Sequence, residues 1–260
     1  MKVLVTGAAG VVGPHVAREL AASGHDLRLL DLKPMQGLPG QHVQGDITEW
    51  DTVRRAVEGM DAVVNLAAYI PRGAPRDFPP HLHWENDIRV DVLGTDFLLH
   101  AALQEGVKRF VHVSTNSVFD KIYPAEGEQL AEDARPLPVS HYGMCKFLAE
   151  ELCRFFAHAH GLSCVVLRLN TVTTSEEWAR VKERDPHHMT AMRVHASDVA
   201  RAVRLALEKE QLRWGIFRVS GDNPDRRWPM DYTRQVLGFG PEYGFEVGRM
   251  LRHGIPCDEC

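Results

Sequence analysis

The sequence predicts an α/β fold, a Rossmann-type doubly wound parallel sheet, and three observations carry that prediction. Short apolar runs alternate with amphipathic stretches of helical length as far as about residue 170, the order that covers both faces of a parallel sheet with helices. The first apolar run, Met1 with residues 3–5, passes into Gly7, Gly10 and Gly13, spaced G-x-x-G-x-x-G, and then into an amphipathic run over 15–22. The second run, 26–30, ends on Asp31, eighteen residues after Gly13. Gly7 permits a tight turn, Gly10 lets the backbone approach a pyrophosphate, and Gly13 lets the helix pack on the strand. Free amides at that helix start bind phosphate. Asp31 can accept hydrogen bonds from both ribose hydroxyls of an adenosine and repels a 2′-phosphate. That favours NAD over NADP, a preference softened by Lys33.

The remaining elements follow in order. Residues 42–48 read as a short third strand, 49–58 as a helix, and 61–68 as a fourth strand with small residues at its carboxyl end. Residues 69–80 hold Pro71, Pro75, Pro79 and Pro80 and read as an irregular loop. A helix over 84–105 precedes a fifth strand, 109–113, which ends in Ser114-Thr115-Asn116-Ser117. A loop over 121–138 leads to a helix over 140–160 and a sixth strand over 163–169. Beyond Asn170 the pattern thins: 175–184 and 198–210 read as helices and 215–219 as a strand, and the last twenty residues are punctuated by glycine and proline. The prediction is an NAD-binding domain over 1–170 and a small C-terminal substrate-binding part over 171–260, interleaved with the first rather than independent.

Composition bounds the function. With 35 acidic against 30 basic residues the net charge is −5 and the pI about 6.3. Such a chain has no electrostatic footprint for nucleic acid or an acidic membrane. No apolar run approaches a bilayer span, and the first strand begins with no signal peptide before it. Five scattered cysteines, an odd number, read as reduced thiols. The expectation is a cytoplasmic protein with a small-molecule substrate.

Tyr142 and Lys146 stand four residues apart, on one face of a helix. A tyrosine is a useful base near neutral pH only when its phenolate is stabilised. A nearby ammonium and the positive charge of an oxidised nicotinamide both do that. Ser114 or Thr115, at the end of the fifth strand, can hydrogen-bond the same substrate oxygen.

TGAAGVVG (6–13), Asp31, GDIT (45–48), NLAA (65–68), VSTNSVF (113–119), YGMCK (142–146) and RVHASDVARAV (193–203) together resemble the extended short-chain dehydrogenase/reductase family, the NAD-dependent epimerases and dehydratases, over nearly the whole chain. The resemblance implies that Gly7, Ala9, Gly10, Val11, Val12, Gly13, Asp31 and Leu32 hold NAD. Asp46 and Ile47 would flank the adenine, Leu66, Ala67 and Ala68 would line the cofactor path, and Val113 and Asn170 would also touch the cofactor. It implies further that Tyr142 is the catalytic base, that Lys146 also binds the nicotinamide ribose, and that the hydroxyl position falls on Thr115 rather than Ser114.

Within the family, dehydratases carry an Asp-Glu pair after the threonine, where this chain has Asn116 and Ser117, so elimination of water lacks its acid and base. Nucleotide-sugar epimerases carry a substantial C-terminal domain, for which the 114 residues after Lys146 leave little material. The uronate dehydrogenases are similarly short. They place Ser-Asn-His where Thr115, Asn116 and Ser117 stand, and their ending resembles residues 219–223 with Trp228 and residues 237–239. That likeness makes Thr115, Asn116, Ser117 and Arg180 the expected substrate ligands. Arg180 would clamp a sugar carboxylate by bidentate hydrogen bonds, against the plainer reading of a solvated helical arginine. The chain departs from the pattern at Ser117, at His141, at Asp91 where the family usually has Asn, and in its proline-rich loop over 69–83.

The resemblance thus implies an NAD-dependent oxidoreductase acting on a sugar or sugar acid, dimeric through helices 84–105 and 140–160. An epimerase is the alternative enzyme, and a non-catalytic NAD-sensing protein the alternative of another class, against which the Tyr142–Lys146 pair counts. No metal is expected. The pairs His81/His83, His158/His160 and His187/His188 lack partners at zinc-ligand spacing, and Cys257 and Cys260 read as a frayed tail.

Overall fold

The computed structural model describes residues 1–70, 79–125, 127–181, 192–223, 227–246, 249–253 and 255–256. In chain order its elements begin with β1 (Lys2–Thr6), α1 (Gly13–Ala22), β2 (Asp26–Asp31), β3 (Gln41–Gln44), α2 (Trp50–Val57) and β4 (Ala62–Asn65). There follow α3 (Pro80–Asp87), a π-helical segment (Ile88–Gly94), α4 (Thr95–Gln104), β5 (Arg109–Thr115), a 3₁₀ segment (Asn116–Ile122), α5 (His141–His160) and β6 (Cys164–Leu169). The chain closes with β7 (Thr171–Thr173), α6 (Ser175–Val181), β8 (Arg193–His195), α7 (Ala196–Glu208), β9 (Trp214–Val219), α8 (Asp231–Leu237), β10 (Tyr243–Glu246), β11 (Arg249–Arg252) and β12 (Ile255–Pro256).

Seven strands form one parallel sheet in the order β3-β2-β1-β4-β5-β6-β9. Successive strand side chains alternate between its faces. Val3 and Val5 pack with Val16, Leu20 and Val203 on the side of α1 and α7, while Leu4 packs with Val53, Leu98 and Phe156 on the side of α2, α4 and α5. With both faces covered, the central strands are mostly apolar, and β4 and β6 are buried at every position. The strand order reverses between β1 and β4, which opens a crevice at the carboxyl ends. Because β9 lies beside β6, the chain after residue 170 returns to the main sheet rather than standing apart.

Several predicted elements change length for local reasons. The third strand ends at Gln44 because Asp46 Oδ1 accepts from the Thr48 amide at 2.8 Å, an Asx turn that takes 45–48 out of the sheet. The fourth strand stops at Asn65, whose Oδ1 accepts from the Ala67 amide at 3.2 Å. The predicted helix 84–105 begins earlier, at Pro80, and is interrupted by the π-helical segment, which turns Asp91 and Gly94 into the protein. A Cβ on Gly94 would lie 2.6 Å from Ile47 Cδ1, so the π turn packs directly on Ile47 at the wall of the crevice. The helix 140–160 is confirmed, capped by Ser140 Oγ, which accepts from the Gly143 amide at 3.1 Å, and ended by Gly161 at φ 71°.

The thin periodicity beyond residue 170 hides two small sheets, β7 with β8 and β10 to β12. Helix α7 starts two residues before the prediction because His195 Nδ1 accepts from the Ser197 amide. Pro71, Pro75, residues 182–184, His187, His188, Cys257 and Cys260 lie outside the described residues.

One buried ion pair ties α5 to the sheet. Arg168 Nε and Nη2 of β6 meet Glu150 Oε1 and Oε2 at 2.9 and 2.6 Å, and Ser114 Oγ of β5 donates to Glu150 Oε1 at 2.6 Å. Removing one member leaves a buried charge unpaired. Glu150→Ala should therefore lose roughly 3–5 kcal/mol of stability in a denaturant titration. A loss below about 1 kcal/mol, the scale of a surface pair, would show the pair to be dispensable.

Candidate active site

The crevice is a cavity of about 700 Å³, within the range of a small-molecule or cofactor site. Its floor is the glycine turn. Gly7 sits at φ 67°, and a Cβ there would lie 2.7 Å from the Ala67 amide nitrogen; one on Gly13 would lie 2.2 Å from the Ala8 carbonyl oxygen. Neither position admits a side chain. Val12, at the N-cap of α1, offers no side-chain acceptor, so the helix start presents amides to an anion.

Asp31, at the carboxyl end of β2, is pinned by two backbone amides. Oδ2 accepts from Ala9 and Oδ1 from Lys33, each at 2.9 Å. A carboxylate retains lone pairs for further donors in this geometry. It is the Lys33 amide that holds Asp31 here. A cradle closed to any Cβ, an open helix start and a fixed carboxylate fit the pyrophosphate and adenosine ribose of NAD. Every residue assigned to the cofactor from the sequence lies in the wall of this one cavity.

At the other end of the cavity, α5 presents Tyr142 and Lys146. Lys146 is 2% exposed, and its Nζ lies 3.2 Å from Oδ1 of the fully buried Asp91. Burial works against the lysine charge, but Asp91, Tyr142 and Glu150 hold the ammonium above its ordinary range. Burial also pushes the Tyr142 phenol above its ordinary value. Lys146 and a hydrogen bond with Thr115 oppose that rise, while Asp91 and Asp87 add to it. The expected lowering of the phenol by Lys146 is present, then, but is outweighed.

The structure separates the two hydroxyl candidates. Ser114 Oγ is committed to Glu150, whereas Thr115 lines the cavity, bonds Tyr142 and accepts from the Ser117 amide at 3.1 Å. Asn116 is held by a buried amide chain: its Nδ2 donates to Asn170 Oδ1 at 2.6 Å, and Asn170 Nδ2 donates to Ser220 Oγ at 2.7 Å. Asn116 and Ser117 both line the cavity, but Arg180 does not. The exposed Arg180 turns its Nε onto the Glu176 carbonyl oxygen of its own helix at 3.1 Å.

The wall also holds residues that sequence reasoning gave no role: Tyr69, Asp120, Tyr123, Thr171, Met192 and Trp228. Tyr123 and Trp228 pack edge to face at 5.0 Å. Only Trp228 lay in a quoted motif; Thr171 stands in the three-residue β7, Asp120 in the 3₁₀ segment and Met192 just before β8, while Tyr69 and Tyr123 stand in connecting segments, none with a period to read. Asp91, singled out as a departure, proves to be the partner of Lys146.

Known proteins share the chain's family pattern and fold. Residues 3–193 match the model of the NAD dependent epimerase/dehydratase family. The chain is 30% identical to the L-arabinose 1-dehydrogenase (NAD(P)(+)) of Haloferax volcanii over 255 residues, covering 92% of this chain and 96% of that protein. It is 25% identical to the uronate dehydrogenase of Pseudomonas syringae pv. tomato, over 95% of this chain and 84% of the relative. Among solved structures, MoeE5 in complex with UDP-glucuronic acid and NAD superposes with a TM-score of 0.79 at 25% identity, over 95% of this chain and 96% of that one.

Gly7→Ala should weaken NAD binding by at least about tenfold in a fluorescence titration, because strain and the clash with Ala67 add at the phosphate turn. Gly24→Ala is a control, since Gly24 shares the positive φ but meets nothing within 4 Å. Equal NAD affinities in the two variants would remove the turn from the site.

Proposed function

The chain belongs to the NAD-dependent epimerase/dehydratase family, and on that premise we propose that it is an NAD-dependent oxidoreductase acting on a hydroxyl or carbonyl of a sugar or sugar acid. The observation that carries the reading is the meeting of Thr115, Tyr142 and Lys146 with the glycine turn and Asp31 in one cavity wall. When bound, NAD supplies the acceptor for the hydride that leaves the substrate carbon. Tyr142, as phenolate, takes the proton of the hydroxyl on that carbon, and the carbon–oxygen bond becomes a carbonyl. Thr115 donates to the same oxygen and fixes its distance from the phenol. Lys146 holds the nicotinamide ribose and supplies positive charge beside the phenolate.

Asn116 and Ser117 meet the remaining sugar hydroxyls, beside the aromatic wall of Tyr123 and Trp228. Arg180 serves a carboxylate only after its guanidinium leaves the Glu176 carbonyl. The cofactor contacts come from residues up to Asn170, and the substrate side joins residues 115–123 to Trp228 from the later part of the chain.

The protein is further proposed to be a cytoplasmic homodimer. Trp84 and Ile88, with Met144, Leu148 and Phe155 of α5, expose apolar side chains on the two long helices, a face that a second copy would cover. Cys145, Cys153 and Cys164 are free thiols, and no helix of the described residues is long and apolar enough to cross a membrane. Sedimentation should give twice the 29.2 kDa chain mass; a monomer at all concentrations would refute the pairing.

Nicotinamide absorbance, followed with NAD and a panel of neutral sugars and uronic acids, tests the activity and names the substrate type. A flat trace with NAD retained through purification would replace the dehydrogenase by an epimerase. Tyr142→Phe should cut turnover at least about 100-fold while leaving NAD affinity within about threefold, since the phenolic oxygen serves the proton step. Full activity in that variant would overturn the mechanism.

A further inference from the structure

The proposed chemistry makes no use of Asp91, yet its carboxylate is, with that of Glu150, one of two fully buried carboxylates beside Lys146 among the described residues. It is fully buried, carried by the π-helical segment Ile88–Gly94, and lies 3.2 Å from Lys146 Nζ. Its second oxygen accepts from the Tyr69 amide at 3.2 Å, in the loop that walls the cavity. A carboxylate in such a place persists only against a cation. We propose that Asp91 is a positioning residue whose carboxylate ties the Lys146 ammonium to the π-helical segment and withholds part of that charge from Tyr142.

Geometry supports each clause. A lysine stem is flexible, and its ammonium otherwise has three donors to distribute. The ion pair fixes one of them on the far side from solvent, where screening is weak. The net charge of the pair is near zero, so its field at Tyr142 is smaller than that of a free ammonium. A π-helical turn sets the carboxylate inward, as such bulges do at functional sites. The neighbouring charges do not restore the balance. Asp87 of α3 adds a second negative charge near Tyr142 and is paired with His141, Nδ1 to Oδ2 at 3.1 Å. His112 of β5 is held neutral by burial. Glu150, one turn on along α5, is engaged by Arg168 and acts on Lys146 in the same sense as Asp91. The Cys145 thiol, pushed up to about 12 by burial and by Asp87 and Asp91, carries no charge at working pH. Thr115 alone favours the phenolate from the other side.

The sign is definite. Removing the negative charge of Asp91 exposes Tyr142 to the full ammonium, so the phenolate forms at lower pH. The inference rests on the base assigned to Tyr142 above, and its test needs no substrate. Ultraviolet phenolate titration of the full chain, with Tyr142→Phe subtracted, reads the midpoint of Tyr142 alone. In an Asp91→Asn background that midpoint should fall by roughly one pH unit or more; coincident midpoints overturn the proposal. If Asp91→Asn does not fold, Asp91→Ser, smaller and equally neutral, is titrated in its place, and the same two outcomes decide.

With an active preparation, the acid limb of the kcat/KM profile for oxidation should move down in Asp91→Asn by the same shift, while Asp91→Glu keeps the parent profile. Loss of activity with an unmoved limb would mark Asp91 as merely structural. Absence of oxidation of any sugar by the parent chain would instead refute the proposed function and leave the titration to judge Asp91.

Discussion

Two buried charge pairs, one helical turn apart on α5, hold that helix to the rest of the molecule. Lys146 meets Asp91 of the π-helical segment, and Glu150 meets Arg168 of β6. Their desolvation opposes folding, and each is tolerated because its geometry is close and its remaining oxygens are hydrogen-bonded. Together they set the rotation of α5 about its axis, and hence where Tyr142 stands. The second pair also captures Ser114, which leaves Thr115 as the hydroxyl that faces the cavity. A single packing constraint thereby decides the helix orientation and the choice between two adjacent hydroxyls.

The cofactor end rests on a different constraint, close approach of backbone to backbone. Gly7 and Gly13 stand against the Ala67 amide and the Ala8 carbonyl with no room for a Cβ. Asp31 is drawn onto the same turn through the Ala9 amide. The carboxylate therefore helps to shape the glycine turn itself, besides the ribose contact proposed for it. The reversal of strand order between β1 and β4 brings this cradle into one crevice with the end of β5.

The segment after residue 170 is joined to the site by polar contacts. Asn116 is linked through Asn170 to Ser220, and Asn223 Nδ2 donates to the Arg193 carbonyl at 3.0 Å. This chain crosses from the end of β5 to the loops after β6 and β9 and to β8. It orients the amide that the proposed function assigns to the substrate. The chain fixes the Asn116 Nδ2 end and leaves its buried Oδ1 without a hydrogen-bond partner among the described residues, an acceptor open to a donor from the cavity.

By itself the sequence determined the α/β class, the glycine turn with Asp31, and the Tyr142–Lys146 face, because each is written in local spacing: period two or 3.6, glycines three apart, residues four apart. The cavity wall gathers every cofactor residue so read. Only the tertiary structure decided the partner of Lys146, the separation of Ser114 from Thr115, and the turning of Arg180 away from the cavity onto its own helix. The two small sheets beyond Asn170 likewise escaped the pattern, since strands of two to four residues are too short to show a period. Asp91 and Lys146 stand fifty-five positions apart. Nothing in either neighbourhood announces the pairing, which arises because a π-helical turn and α5 bury two opposite charges at the same depth.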